Sequence, residues 1–179
     1  IDEIGKMLEN QNAPWSDGPW LCVKDNATNL IWEMKTEESD AFGQRSQEDL
    51  YTWYSSDSAT NGGGTGDATT STLCNAYVDG GMCDTQSYVT AINQRGLCGF
   101  DDWRMPTLAE LQGIVDYGTS DPAIDLDVFL YGLENAPYWT ATPSSEVIDD
   151  AWTVNFTSGA TETLPKSTLG HLRLVRGGE

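Results

Sequence analysis

The sequence has few of the side chains that catalysis and polyanion binding most often use. Its 179 residues include one histidine, His171, and 9 lysine and arginine residues against 28 aspartate and glutamate residues. The net charge of −19 repels nucleic acid, anionic membranes and sulfated polysaccharides, so basic-patch binding to these partners is a poor hypothesis. No apolar run approaches the ~20 residues of a membrane-spanning helix, so we expect no membrane insertion by this chain.

The common signatures of catalytic sites are also missing. There is no GxSxG sequence, and the glycine-rich run Asn61-Gly62-Gly63-Gly64 is not followed by the GK[ST] of a phosphate-binding loop. The single histidine lies in a predicted strand, where a structural role is expected. No pair among the many acidic residues is marked out for glycoside hydrolysis. We therefore predict that the chain is not an enzyme.

The first 19 residues form a separate unit in our interpretation. The chain begins at Ile1 without Met, which indicates a processed or truncated product. Asp2–Gln11 has the apolar spacing of a short helix, and residues 12–19 contain two prolines and a glycine, as linkers do. Residues 20–179 are then long enough for one well-buried domain.

The four cysteines predict disulfides and an oxidising compartment. No CxxC pair is present, and one histidine is too few for the usual zinc sites. An even count in an acidic, aromatic-rich chain favours two bridges, for which three pairings exist. We favour Cys74–Cys83 and Cys22–Cys98, because the first closes a short loop and the second ties the N-terminal strand to the centre of the chain.

Two central helices are predicted from their ends. Asp84 can cap a helix over residues 85–95, and Gly96 can end it. Further along, Thr107 and Glu110 have the spacing of a capping box. We expect the second helix to reach Tyr117-Gly118, with its inner face formed by Leu108, Leu111, Ile114 and Val115.

Strands are predicted on both sides of these helices. The predicted segments are 20–24, 29–35, 138–142, 151–157, 160–163 and 171–176. Strands, two helices and then more strands indicate an α+β fold with an antiparallel sheet, whose first and last strands can pair. The polar, glycine-rich stretch 55–71 has too little apolar surface to pack by itself. We expect it to be disordered or to be ordered by a ligand or partner.

Several segments together resemble the C-terminal domain family of the Legionella collagen-like adhesin. They are Cys22 to Glu33, Asp102-Trp103-Arg104-Met105-Pro106-Thr107 with Glu110-Leu111, Pro122 to Asp125, Tyr138 to Thr142, Ala151 to Phe156 with Gly159, and Leu172 to Gly177. The piece around Trp103 also resembles formylglycine-generating-enzyme-type domains, which share a C-type-lectin-like fold. The resemblance covers residues 20–178 and implies a C-type-lectin-like fold.

The resemblance also implies a function in recognition. Members occur on secreted and surface proteins of bacteria, and the named member is an adhesin that binds glycosaminoglycans. We do not transfer that ligand, because a polyanion needs clusters of Lys and Arg. All four cysteines are assigned to disulfides, so the thiol chemistry of formylglycine-generating enzymes has no carrier and is the least favoured alternative.

Acidic and aromatic loop residues are the candidate ligand-binding sites. Asp121, Asp125 and Asp127 are candidate Ca²⁺ ligands, with Asp101–Asp102 and Asp149–Asp150 as second choices. Solvated acids in Asx turns are the competing interpretation. Exposed sugar-stacking aromatics are sought in loops, at Trp15, Trp53 and Tyr54. We expect Trp103, Trp139 and Trp152 in the core, and Arg104 paired with a carboxylate or carbonyl.

The hypothesis from the sequence is a secreted or surface-displayed recognition and adhesion module. It binds a glycan or protein receptor, with Ca²⁺ as the one cofactor under consideration. The alternative is a structural subunit of an extracellular fibre or pilus, in which copies of the chain contact each other through the N-terminal helix and the glycine-rich loop.

Overall fold

The computed structural model describes residues 20–37, 45–69, 74, 81–129, 131 and 137–178. The predictions for the N-terminal helix, the linker and Trp15 lie outside these residues. The regular elements in chain order are β1 (Cys22–Lys24), β2 (Ile31–Glu33), α1 (Thr85–Arg95), α2 (Leu108–Gln112), β3 (Tyr138–Pro143), β4 (Asp150–Asn155), β5 (Ala160–Pro165) and β6 (Val175–Arg176).

The strands form two antiparallel sheets of three strands each, in the orders β1-β2-β6 and β3-β4-β5. The α+β class with antiparallel pairing is therefore confirmed. The first and last strands share a sheet but are not neighbours, since β6 pairs with β2 and places Val175 opposite Trp32. Strand β2 takes the central position because all three of its residues are buried.

Helix α1 has the bounds predicted from its caps. The Asp84 carboxylate accepts a hydrogen bond of 2.8 Å from the backbone N–H of Ser87. Gly96 ends the helix at φ 68°, in the left-handed region that glycine enters without a side-chain penalty.

Helix α2 begins as predicted and ends earlier. Thr107 and Glu110 form the complete capping box. The helix stops at Gln112 and not near Gly118, so the predicted length is wrong. The backbone N–H of Asp116 donates to the carbonyl of Ala123 at 3.0 Å, and this bond ties the chain to the following loop.

The predicted strand over residues 171–176 is mostly not a strand, because the segment passes from one sheet to the other. The carbonyl of His171 accepts from Trp139 of β3, whereas Val175 pairs with Trp32 of β2. Only Val175–Arg176 remain a strand. The prediction that Trp152 lies in the core is also wrong, since Trp152 of β4 is only half-buried, whereas Val154 is buried.

Two hydrophobic clusters fill the interior, and the disulfides lie in the first. Cys22 joins Cys98, and Cys74 joins Cys83, which is the favoured pairing. The bridge from Cys22 closes a loop of 76 positions and links β1 to the turn after α1. It constrains the unfolded chain more than the other bridge does. Trp103 and Trp139 are buried, as predicted.

Candidate functional site

The glycine-rich stretch is ordered by contacts within the chain over the part that the structure describes, residues 55–69. The backbone N–H of Ser55 donates to the carbonyl of Thr65 at 2.9 Å and closes the loop. Inside it, the buried Asn61 side chain donates to the Ser55 carbonyl and accepts from the N–H of Gly63 at 2.9 Å. The expectation of disorder, or of order imposed by a ligand or partner, is therefore wrong for these residues.

Lys166 is the residue that fixes this loop to its neighbour. Its ammonium donates to three backbone carbonyl oxygens, on Asn61 at 2.9 Å, Gly64 at 2.7 Å and Ile148 at 2.8 Å. It also lies 4.4 Å from the centre of the Trp53 ring, a cation–π distance. The side chain satisfies all three of its donors inside the protein and joins two loops that are distant in sequence.

The electrostatics at Lys166 combine burial with nearby acids. Burial lowers the pKa of the Lys166 ammonium, and the negative charges of Asp149 and Asp150 act against that shift. The three carbonyl dipoles solvate the charge that water would otherwise solvate. An ammonium here performs the organising role that a bound metal cation has in many loop-rich sites.

Two glycines allow the two loops to approach each other closely. A Cβ on Gly62 would lie 2.7 Å from the Pro143 side chain, and one on Gly64 would lie 2.7 Å from the Ile148 carbonyl oxygen. Real Cβ atoms do not approach so closely, so any larger residue here would separate the loops. We call residues 61–66 and 144–149 together the loop surface.

Of the three candidate sugar-stacking aromatics, the structure describes Trp53 and Tyr54, and neither is classed as exposed. Trp53 has 2% of its surface exposed, and its indole N–H donates to the carbonyl of Thr140 at 2.8 Å, so its prediction as an exposed sugar-stacking residue is wrong. Tyr54 is half-buried, and its backbone exchanges two hydrogen bonds of 3.0 Å with the hydroxyl of Thr85. Both residues precede the loop surface and lie beneath its edge, where Tyr54 pairs with Gly66.

The predicted calcium ligands are exposed and are not gathered around one point. Asp125 accepts a hydrogen bond of 2.9 Å from the N–H of Asp127, which is the Asx turn of the competing interpretation. Asp121 lies at φ 55° and donates its own N–H to the carbonyl of Thr157. Among the residues that the structure describes, no group of three or more acidic, histidine or cysteine side chains can hold a metal ion.

Of the second-choice acids, Asp102 has an ion-pair role. Arg176 holds its carboxylate through two hydrogen bonds of 2.5 and 2.9 Å, and this contact lowers the pKa of Asp102. Arg176 also stacks 3.8 Å from the centre of the Phe100 ring. The pair therefore links β6 to the turn after α1.

A buried ionic cluster lies in the interior. The Glu33 carboxylate accepts hydrogen bonds from the Tyr88 hydroxyl and from the Lys35 ammonium, and from the N–H of Leu174 at 2.8 Å. Burial lowers the pKa of Lys35, and burial together with the Glu33 charge raises that of Tyr88. None of the three ionisable side chains is more than 2% exposed, so the cluster joins β2 to α1 and is closed to a substrate.

His171 is equally enclosed. Its Nδ1 lies 3.2 Å from the carbonyl oxygen of Asp49, and its ring packs 5.1 Å from the centre of the Tyr138 ring. Burial lowers the pKa of His171 to about 4, and the charges of Lys35 and Arg173 add to that effect. The imidazole is neutral near pH 7, and its contacts with Asp49 and Tyr138 lie within the core.

The segment around Trp103 has a structural role, because its side chains bond to other parts of the chain. The Trp103 indole N–H donates to the carbonyl of Leu97 at 3.0 Å. Arg104 makes a bidentate ion pair with Glu110 at 2.8 and 2.7 Å, and it also donates to the carbonyl of Gly177 at 3.0 Å. The prediction that Arg104 pairs with a carboxylate or carbonyl is therefore confirmed. The capping residue of α2 is thereby linked to the end of the chain.

Comparison with known protein families matches residues 21–176 to the Lcl C-terminal domain. The match spans both sheets, both helices and the loop surface. The chain belongs to the Lcl C-terminal domain family. The comparison with curated proteins found no match. The Lcl domain and its two disulfides indicate an adhesin-related surface module, consistent with an extracellular or cell-surface location. Among the described residues, no helix has the length and apolar character to cross a membrane.

Sequence reasoning missed Lys166. The residue follows Pro165 at the end of β5, where a lysine usually faces water, and its three acceptors come from 18 to 105 positions away. The one available signal was the run of three glycines, since consecutive glycines often mark a close backbone approach.

Proposed function

We propose that this chain is a secreted or surface-displayed recognition and adhesion module that binds a protein or glycan receptor. The observation that carries the proposal is the Lcl C-terminal domain match over residues 21–176. The ordered loop surface supports it, because binding loops held on a rigid scaffold lose little entropy when they meet a partner. A C-type-lectin-like fold, in which long loops bear the ligand site, is part of the same proposal.

The charge distribution narrows the class of receptor. Four basic side chains, Lys35, Arg45, Lys166 and Arg173, are buried. Arg104 and Arg176 are engaged with carboxylates. Few cations of the described residues therefore face water in a chain of net charge −19. The receptor is neutral or cationic on this account, and a sulfated polysaccharide is a poor fit.

The experiment is a binding survey with the purified, non-reduced protein. It is applied to arrays of neutral and charged glycans and to immobilised matrix proteins, each in millimolar calcium and in EDTA. We expect saturable binding to at least one neutral glycan or protein. Absence of binding on every surface in both buffers would reject the proposal, and a requirement for calcium would add the cofactor to it.

The fibre-subunit alternative loses one of its two supports. It relied on the N-terminal helix and on a glycine-rich loop that becomes ordered at a contact between copies. The helix lies outside the described residues, and the loop is ordered within one chain through Asn61 and Lys166. The adhesion proposal therefore takes precedence.

A further inference from the structure

The described residues expose four large hydrophobic side chains, and two of them are consecutive. Val147 is 49% exposed and Ile148 is 53% exposed, in the connection between β3 and β4. The other two, Tyr117 and Leu126, lie on the long segment between α2 and β3. Adjacent exposed aliphatic side chains on an otherwise acidic surface mark an interaction site more often than single ones do.

The backbone beneath this pair is held in place. The Ser144 hydroxyl accepts the N–H of Val147 at 3.2 Å, and the Val147 carbonyl accepts the N–H of Asp150 at 3.0 Å. The carbonyl of Ile148 is one of the three acceptors of Lys166. The aliphatic side chains are thus presented to water by an ordered turn.

The glycine run keeps the pair uncovered on one side. A Cβ on Gly63 would lie 3.0 Å from the Cδ1 atom of Ile148. Glycine at this position places backbone beside Ile148 and leaves no side chain above it. A binding partner can therefore contact the backbone of Gly63 and the two neighbouring aliphatic side chains at the same time.

Acidic residues border the pair. Glu146 precedes it and Asp149 follows it, and both are exposed. The whole chain adds a net charge of −19. An apolar centre with a negative border is complementary to an apolar residue flanked by Lys or Arg, and it opposes acidic partners.

We propose that Val147 and Ile148 form the apolar centre of a docking surface for a basic protein segment, in which an apolar residue is flanked by Lys or Arg. The proposal rests on the recognition function above and specifies its partner. A protein segment fits better than a sugar, because two aliphatic side chains offer no aromatic face for a pyranose ring.

The test uses synthetic peptides as probes. One set carries Leu or Phe between Lys and Arg residues, and a matched set replaces the basic residues with Glu. Peptide binding is titrated by fluorescence anisotropy against the wild type, the double variant Val147→Ser/Ile148→Ser and the control Leu126→Ser, at low and physiological salt. The substitutions leave the net charge unchanged and affect exposed side chains, so the variants should fold; thermal midpoints verify this.

We expect the wild type and Leu126→Ser to bind the basic peptides, and the double variant to bind them at least ~10-fold more weakly, about 1.4 kcal/mol. The acidic set should not bind. Equal binding by the double variant would overturn the proposal and assign the attraction to the general negative field. The proposal would also be overturned if none of the basic peptides bound to the wild type.

A parallel assay tests the docking surface and the recognition function separately. The three proteins are applied to the receptor surface that the array survey identifies. If the wild type and the double variant bind it equally, the docking surface is wrong and the recognition function stands. If the wild type binds no surface, the recognition function fails first.

Discussion

A buried lysine holds the loop surface together, and its removal should be costly. In Lys166→Met the carbonyls of Asn61, Gly64 and Ile148 lose their shared donor inside the protein. Unsatisfied buried acceptors typically cost ~1–3 kcal/mol each, in part relieved by entering water. We expect the free energy of unfolding to fall by about 3 kcal/mol, measured by urea denaturation.

The control for that variant removes the same charge elsewhere. Lys24→Met affects a half-buried lysine that forms no ion pair with any residue the structure describes. We expect it to change stability by less than ~0.5 kcal/mol, the usual range for surface substitutions. If both variants lose the same amount, Lys166 acts only through net charge.

His171 predicts a pH dependence of stability. Its pKa falls from 6.5 in the unfolded chain to about 4 in the folded protein, mainly because the ring is buried. Between these values the unfolded state binds more protons, so stability is complete above pH 6.5 and declines as the pH drops toward 4. The contribution is on the order of 3 kcal/mol.

The variant His171→Asn removes the titrating group and keeps a donor near the Asp49 carbonyl. Because many carboxylates also begin to titrate near pH 4, the informative quantity is the wild-type value minus the variant value across this range. We expect this difference in the free energy of unfolding to decrease as the pH falls from 6.5 to 4. A constant difference would show that His171 does not titrate between the two states.

At the level of elements, the starts of both helices and the end of α1 were the most predictable features. Asp84, Gly96, Thr107 and Glu110 act within a few residues of themselves, so local chemistry determines them. The end of α2 was mispredicted because the chain beyond Gly113 leaves the helix and Asp116 bonds to Ala123 in the following loop, a contact that the apolar spacing does not reveal. Lys166 escaped prediction because its acceptors are 18 to 105 positions away in sequence.

The capping box of α2 yields a graded prediction. Thr107→Ala removes one cap hydrogen bond and should lower the free energy of unfolding by about 1 kcal/mol. Glu110→Ala removes the reciprocal cap bond and the bidentate contact with Arg104, so it should lower it by about 2 kcal/mol. The exposed Ser120→Ala serves as control in chemical denaturation, and an unchanged value in Glu110→Ala would contradict the linking role of Arg104.

At the scale of the whole molecule, the acidic surface determines how calcium affects stability. The described residues contain no group of three acidic, histidine or cysteine side chains that could hold a metal ion, and three carbonyls of the loop surface are occupied by Lys166. We expect calcium and magnesium to raise the thermal midpoint equally, as general screening of a charge of −19 would do. A specific site saturated at 100 times its dissociation constant would add ~2.7 kcal/mol for calcium alone, and Asp125→Asn would then abolish the difference.

The class of the fold and its disulfides were also predictable at this scale. The α+β class follows from the order of strand and helix patterns, and the favoured disulfide pairing follows from the positions of the cysteines along the chain. Both agree with the structure, although most of the strand predicted over residues 171–176 is absent. The candidate site was not predictable, because Trp53 directly precedes the polar stretch 55–71 and yet packs into the core. Aromatic residues near loops do not reveal their burial until the tertiary contacts are known.

The measurement that tests the account most directly is adhesion of protein-coated beads, with soluble protein as competitor. Beads carrying the wild type are applied to cell and matrix surfaces, and attachment is counted as soluble wild type is added. We predict saturable attachment that the soluble protein competes away, with beads remaining dispersed in suspension. Beads that aggregate with each other and do not attach would contradict the recognition function and support self-assembly.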